Sequence, residues 1–204
     1  MFMVKLISVG NKKGGVGKTT TAMQIAQVLG KQGKTLLLDA DEELQCAVSW
    51  RTGDFDGWSF QARNYHQASE NDTAGCEYIV LDTKGGETGG DLVKLAQESD
   101  LLVIPTKPDG LSADGLLATL HDLIESGIEN YRVLIVANEG TRGEELREAL
   151  IAQGVPVLNA IVRKSVAVGD AVAQRVPLEA HNRYSKGVAL DYNAVTREVL
   201  SHVK

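Results

Sequence analysis

Residues 10–20, Gly-Asn-Lys-Lys-Gly-Gly-Val-Gly-Lys-Thr-Thr, constrain this chain more than any other stretch. Ahead of them, Phe2 to Val9 reads as a buried strand, because Val4, Leu6, Ile7 and Val9 are apolar and mostly β-branched. Behind them, Thr20 to Leu29 reads as a helix with Met23, Ile25, Ala26, Val28 and Leu29 on its apolar faces. Strand, glycine turn, Gly-Lys-Thr and helix, in that order, is the context of a phosphate-binding loop. The glycines let backbone N–H groups turn inward around an anion, and the helix N-terminus adds partial positive charge. The sequence therefore predicts that Gly14, Gly15, Val16, Gly17, Lys18, Thr19 and Thr20 bind nucleotide phosphates. Lys18 reaches the β- and γ-phosphates in such a loop, and the Thr19 hydroxyl ligates Mg2+.

Lys12 to Thr19 departs from the strict pattern Gly-x-x-x-x-Gly-Lys-[Ser/Thr] by carrying lysine ahead of the paired glycines. Lys13-Gly14-Gly15-Val16-Gly17-Lys18-Thr19-Thr20 resembles the deviant Walker A motif of the ParA/MinD family of ATPases. The resemblance implies ATP and Mg2+ as cofactors and an ATP-sandwiched homodimer. It also implies a trans-acting role for Lys13, which would reach the partner's phosphates. Lys12 is expected to be merely solvated.

Other strand ends extend the resemblance. Thr35 to Leu38 reads as a strand that ends in Asp39-Ala40-Asp41, and the C-terminal ends of strands are where α/β sheets place ligands. Read alone, two carboxylates that begin a helix would only complement its N-terminal charge. The family match implies that Asp41 positions the attacking water and that Asp39 supports the Mg2+ region. Tyr78-Ile79-Val80-Leu81-Asp82 has the Walker B shape, four apolar residues and a carboxylate that holds Mg2+ beside Thr19. Asp41-Glu42 and Thr83-Lys84-Gly85-Gly86 stand where relatives carry prolines, and both variants look like the T-DNA-processing branch of the family. Gly85, Gly86, Gly89 and Gly90 predict a mobile loop suited to switching with nucleotide state. Asn138 follows a strand over 131–137 and by resemblance is the candidate that reads the adenine.

Further elements follow from periodicity: a strand over 58–62, helices over 42–50, 92–97 and 111–126, a strand over 100–105, a helix over 144–153, and a last core strand over 155–162. A helix then runs to Gln174, and Val188, Tyr192, Val195, Val199 and Val203 place a final helix against the body. Residues 63–75 give no clear signal. About seven strands alternating with helices predict an α/β, three-layer P-loop NTPase fold, with a mainly parallel twisted sheet flanked by helices, as a single domain over 1–204.

Charge supplies one further expectation. The net charge of −6 argues against a strongly basic nucleic-acid protein, yet residues 155–204 carry seven basic and four acidic residues. Screening confines the relevant field to roughly 10 Å, so a locally basic region can bind phosphate backbones on an acidic protein. Arg163, Lys164, Arg175, Arg183 and Lys186 are the candidate DNA-binding residues. No signal peptide, transmembrane run or amphipathic tail is evident, which predicts a cytoplasmic protein without a membrane anchor. Cys46 and Cys76 have no metal-ligand spacing, and both precede Asp82, which argues against a metal-cluster reductase on the same loop. Nothing reads as the acceptor site of a small-molecule kinase or amidoligase.

The expected activity is slow, partner-stimulated ATP hydrolysis. The expected outcome is nonspecific DNA binding and plasmid or chromosome partition, or positioning of another cargo. The alternative is a conjugative-transfer accessory ATPase that binds one DNA site and recruits a relaxase or coupling protein.

Overall fold

The computed structural model describes residues 4–203. Residues 2 and 3, where the first strand was expected to begin, lie outside them. Six strands are described: β1 (Lys5–Val9), β2 (Thr35–Asp39), β3 (Gln61–Asn64), β4 (Tyr78–Asp82), β5 (Leu101–Thr106) and β6 (Tyr131–Ile135). They form one all-parallel sheet in the order β3-β2-β4-β1-β5-β6. The helices are α1 (Lys18–Gly30), α2 (Cys46–Arg51), α3 (Glu70–Thr73), α4 (Gly89–Glu98), α5 (Gly110–Glu125), α6 (Arg142–Ala152), α7 (Ala167–Ala173), α8 (Leu178–His181) and α9 (Arg183–His202).

Alternation along the strands explains the layers. Ile7, Val9, Leu37, Val80 and Val103 point to one face, where α1 and the C-terminal helices cover them. Leu102, Ile104 and Val133 point to the other, beneath α4 and α5, while Leu36, Leu38 and Leu81 form a smaller cluster. A sheet buried on both faces needs such near-continuous apolar strands, and β2 and β5 are buried throughout. Register places Val9 and Asp39 on either side of Asp82, so the P-loop and both strand-end aspartates share one edge of the sheet. Among the described residues no helix is long and apolar enough to cross a membrane.

Two sequence expectations are corrected. Residues 155–162 are not a seventh strand. They run beside β6 with an isolated bridge at Val133–Val157 and backbone hydrogen bonds at Pro156, Leu158 and Val162, and a second bridge pairs Asn138 with Arg163 just beyond. Pro156 has no N–H, and the N–H groups of Asn159 and Ala160 turn to the Glu198 carboxylate on α9 instead of the sheet. The strand expected over 58–62 begins at Gln61. Trp58 and Phe60 are drawn into an edge-to-face aromatic stack with Trp50, and the Ser59 N–H donates to Gln27 Oε1 at 3.0 Å.

Candidate nucleotide-binding site

The loop between β1 and α1 has the backbone a phosphate cradle needs. Gly15 (φ 72°) and Gly17 (φ 89°) occupy the left-handed region, where a side chain would strain the turn. Gly17 stands at the N-cap of α1 and offers no side-chain cap, so the first N–H groups of the helix stay available to an anion. Gly14, Gly15, Gly17, Lys18, Thr19 and Thr20 line a cleft of about 400 Å3 that Asp41, Cys46, Thr83 and Gly85 close from the other side. Val16 is buried beneath the loop. Lys18 is 7% exposed, and its ammonium donates to the Lys13 carbonyl at 3.1 Å. Burial lowers its pKa, and the nearby charges of Asp82, Glu87 and Asp41 oppose that shift.

The two strand-end aspartates differ in what they touch. Asp39 Oδ1 accepts the Asp41 N–H (3.1 Å), and Oδ2 accepts the N–H groups of Ala47 (2.9 Å) and Val48 (3.1 Å). Two of these donors lie on α2 and the third is Asp41 itself, so the geometry of this carboxylate is that of a positioning group for the loop that carries Asp41. Asp82 is 2% exposed, meets the Thr19 hydroxyl, and leaves Oδ1 buried without a partner. Desolvation raises its pKa to about 7. Such an oxygen beside a hydroxyl and a phosphate cradle fits a hard divalent cation. Among the described residues no three His, Cys, Asp or Glu side chains converge on a metal cage. The donors thus suit an ion shared with phosphate oxygens, as Mg2+ is. Asp41 lines the cleft, its Oδ1 accepting from Glu43 N–H (3.2 Å) and Leu44 N–H (2.9 Å).

The adjacent lysines diverge. Lys13 is exposed, and among the described residues no carboxylate lies within 4 Å of its ammonium. Its stem passes α5 at Gly115, where an added Cβ would stand 2.7 Å from Lys13 Cβ. Lys12 is not the solvated residue expected: its ammonium pairs with Asp122 and donates to the Ala118 carbonyl at 3.2 Å. Loop 83–88 folds back over the cradle, and an added Cβ on Gly85 would lie 3.5 Å from Gly14 Cα.

Beside the cradle is a second, mostly apolar slot of about 270 Å3 that reaches Gly15, Gly17 and Thr20. Val136, Val162, Val168, Val188 and Tyr192 form its walls, and Ala137 borders it with φ 53°. Sequence reasoning missed this slot, because its valines come from four segments and carry no local pattern. Asn138 does not line it. Its Oδ1 accepts the Gly143 N–H (2.7 Å) and its amide donates to the Gly140 carbonyl (3.0 Å), so the side chain shapes the turn before α6.

The five basic residues also separate. Arg163 forks onto Asp191 (Nε–Oδ2 2.6 Å, Nη2–Oδ1 2.7 Å), and Lys164 pairs with Glu139 at 2.8 Å. Both line the apolar slot, so they do not extend a free basic patch. Arg175, Arg183 and Lys186 are exposed at the end of α7 and the start of α9, without ion pairs among the described residues. Arg183 lies over the exposed Tyr184 ring, 4.7 Å from its centroid.

Comparison with known proteins agrees with the geometry. The chain is 29% identical over 204 residues to the maintenance of carboxysome distribution protein A of Gloeobacter kilaueensis, covering 96% of this chain and 94% of that protein. It is 28% identical over 178 residues to protein virC1 of Rhizobium radiobacter, covering 81% and 66%. In fold it matches the MinC:MinD cell division protein complex of Aquifex aeolicus with TM-score 0.76 at 17% identity, covering 97% of this chain and 96% of that one. Residues 7–178 match the CobQ/CobB/MinD/ParA nucleotide binding domain, and the chain belongs to that nucleotide-binding family, whose ParA/MinD members are P-loop ATPases.

Proposed function

We propose that this protein is an ATPase that cycles between a monomer and an ATP-sandwiched dimer, binds DNA without sequence preference, and distributes a cargo. The observation that carries the dimer is Lys13. Lys12 and Lys18 are both held by neighbours, whereas Lys13 stands exposed at the mouth of the cradle, on the edge of α5.

Within one protomer, Lys18 and the N-terminus of α1 bind the β- and γ-phosphates, and the base enters the valine-lined slot. Thr19 and Asp82 would hold Mg2+, which would neutralise charge on the phosphate oxygens. Asp39 fixes the loop of Asp41 through backbone donors, and Asp41 orients water toward the γ-phosphate. Lys13 from the second protomer supplies charge to the transferred phosphoryl group, the role an arginine finger plays elsewhere. An isolated protomer lacks that charge, so turnover is slow alone and rises when an adaptor protein favours the dimer. DNA contacts fall to Arg175, Arg183 and Lys186. Similarity to a carboxysome distribution protein over nearly the whole chain supports cargo positioning as the outcome.

The loop Thr83-Lys84-Gly85-Gly86 and the similarity to virC1 favour one second reading, an accessory ATPase of conjugative transfer that binds a specific DNA site. The deciding experiment is binding to random-sequence duplex DNA with ATP and with ADP, for wild type and Lys13→Ala. ATP-dependent binding that the lysine variant loses is the expected result. Absence of binding in both nucleotide states would refute nonspecific DNA as the matrix, and binding to one sequence alone would favour the second reading.

A further inference from the structure

Lys12 touches two segments outside its own loop. Its ammonium reaches Asp122 and the Ala118 carbonyl, and its N–H points at the Thr119 hydroxyl (3.4 Å), all on α5. Its carbonyl accepts the Gly86 N–H at 3.2 Å, from the loop that follows the Walker B strand. Asp122 in turn abuts Gly89, the first residue of α4. A Cβ there would fall 1.8 Å from Asp122 Oδ2. The carboxylate therefore packs against the start of a helix, where partial positive charge favours it, with Oδ2 accepting no hydrogen bond there. Loop 83–88 is thus hydrogen-bonded at Gly86 by the Lys12 carbonyl, and Asp122 packs against its exit at Gly89. The two side chains are only 26% and 27% exposed, so the pair is shielded well enough to hold a direction. Two helical turns before Asp122 on α5, Gly115 abuts Lys13. Leu117 and Ile124 are more than half exposed on one side of α5, and Leu111 is exposed at its start on another.

We propose that Lys12 and Asp122 are positioning residues whose ion pair couples loop 83–88 to α5. Filling of the phosphate cleft then sets the placement of Lys13 and of the α5 segment beside it. The inference rests on the dimer reading for the role of Lys13. Lys12 does not line the phosphate cleft, so its contribution is separable from nucleotide affinity.

The test compares Lys12→Met, Asp122→Asn, the double variant and the conservative Lys12→Arg. The measurements are MgADP affinity, steady-state ATP turnover, and deuterium uptake over residues 110–125 with and without MgADP. Each neutral variant is expected to keep KM and the MgADP Kd within about twofold and to lower kcat about fivefold to tenfold. Each should also lose the nucleotide-dependent protection of residues 110–125. The double variant should be no worse than either single one, because the two groups act as a unit. Lys12→Arg should recover most of the turnover. Unchanged kcat with unchanged protection would overturn the proposal. So would a KM raised about tenfold at constant kcat, which would make Lys12 a nucleotide ligand. Failure of the dimer reading shows separately, as wild-type turnover indifferent to Lys13→Ala. The deuterium readout still reports the coupling in that case.

Discussion

Gly115→Ala separates packing of α5 on the P-loop from ordinary helix propensity. In an unobstructed helix the change gains up to about 1 kcal/mol, because alanine loses less backbone entropy than glycine. At position 115 the new Cβ would stand 2.7 Å from Lys13 Cβ and 3.4 Å from its Cγ. Contact between carbons is comfortable near 3.5–4.0 Å, so the two segments must part by roughly 1 Å. A Cβ cannot rotate away, because it is fixed to the P-loop backbone. Overpacking of this kind costs about 1–3 kcal/mol, which exceeds the propensity gain. Gly169 in α7 is the control, since an added Cβ there meets nothing within 4 Å. Urea unfolding should place Gly169→Ala above wild type by about 0.5–1 kcal/mol, and Gly115→Ala below it by up to about 2 kcal/mol, at unchanged m-value. ATP turnover should fall in Gly115→Ala alone. If both substitutions stabilise equally, α5 does not seat on Lys13, and the coupling through Lys12 loses its end point.

Other consequences are measurable. Lys18→Ala removes the cleft's buried cation and should abolish MgATP binding in calorimetry while the protein stays folded. Arg183→Glu with Lys186→Glu should weaken nonspecific DNA binding and flatten its salt dependence by about 0.9 per lost phosphate contact. Arg163→Ala should leave that slope unchanged, because Arg163 already serves Asp191. Burial holds the Asp82 carboxyl at about 7, well above its usual value of 3.8. Between pH 4 and 7 the unfolded chain gives up this proton and the folded one keeps it, so stability without metal falls as pH rises. Asp82→Asn should leave stability unchanged near pH 4 and raise it by up to roughly 4 kcal/mol at pH 8, at about 1.4 kcal/mol per pKa unit. Parallel urea-midpoint curves for the two proteins across that range would refute it.

The sheet and the cradle were legible because their signals are local. Apolar strands ending in aspartate, and glycines ahead of Gly-Lys-Thr, fix both element and ligand end within about ten residues. What stayed hidden depends on partners distant in sequence. Lys12 looks like any solvated lysine until α5 brings Asp122 to it across 110 positions. Arg163 looks like a free cation until α9 presents Asp191. Residues 155–162 have the composition of a core strand. Glu198 and Pro156 take them out of the ladder, and neither effect shows in hydrophobic periodicity. Asn138 is a base-reading candidate by resemblance alone, and its hydrogen bonds at Gly140 and Gly143, which shape the turn before α6, are not visible in the sequence pattern.

Asp39 and Asp82 show how position and role part company. They are register partners on neighbouring strands, both nearly inaccessible, and burial pushes both carboxyls up. Asp39 meets three backbone donors, which lower its pKa against the burial and tie it to α2. An amide in its place would present an N–H2 group to those N–H donors, so Asp39→Asn is costly for the fold. Asp82 meets one hydroxyl and keeps a bare oxygen, an arrangement that costs stability in the free protein. A fold could satisfy that oxygen with one more backbone donor, as it does one strand away. That it does not, beside the hydroxyl of Thr19 and near the charge of Lys18, leaves an acceptor that fits the cation proposed for this site.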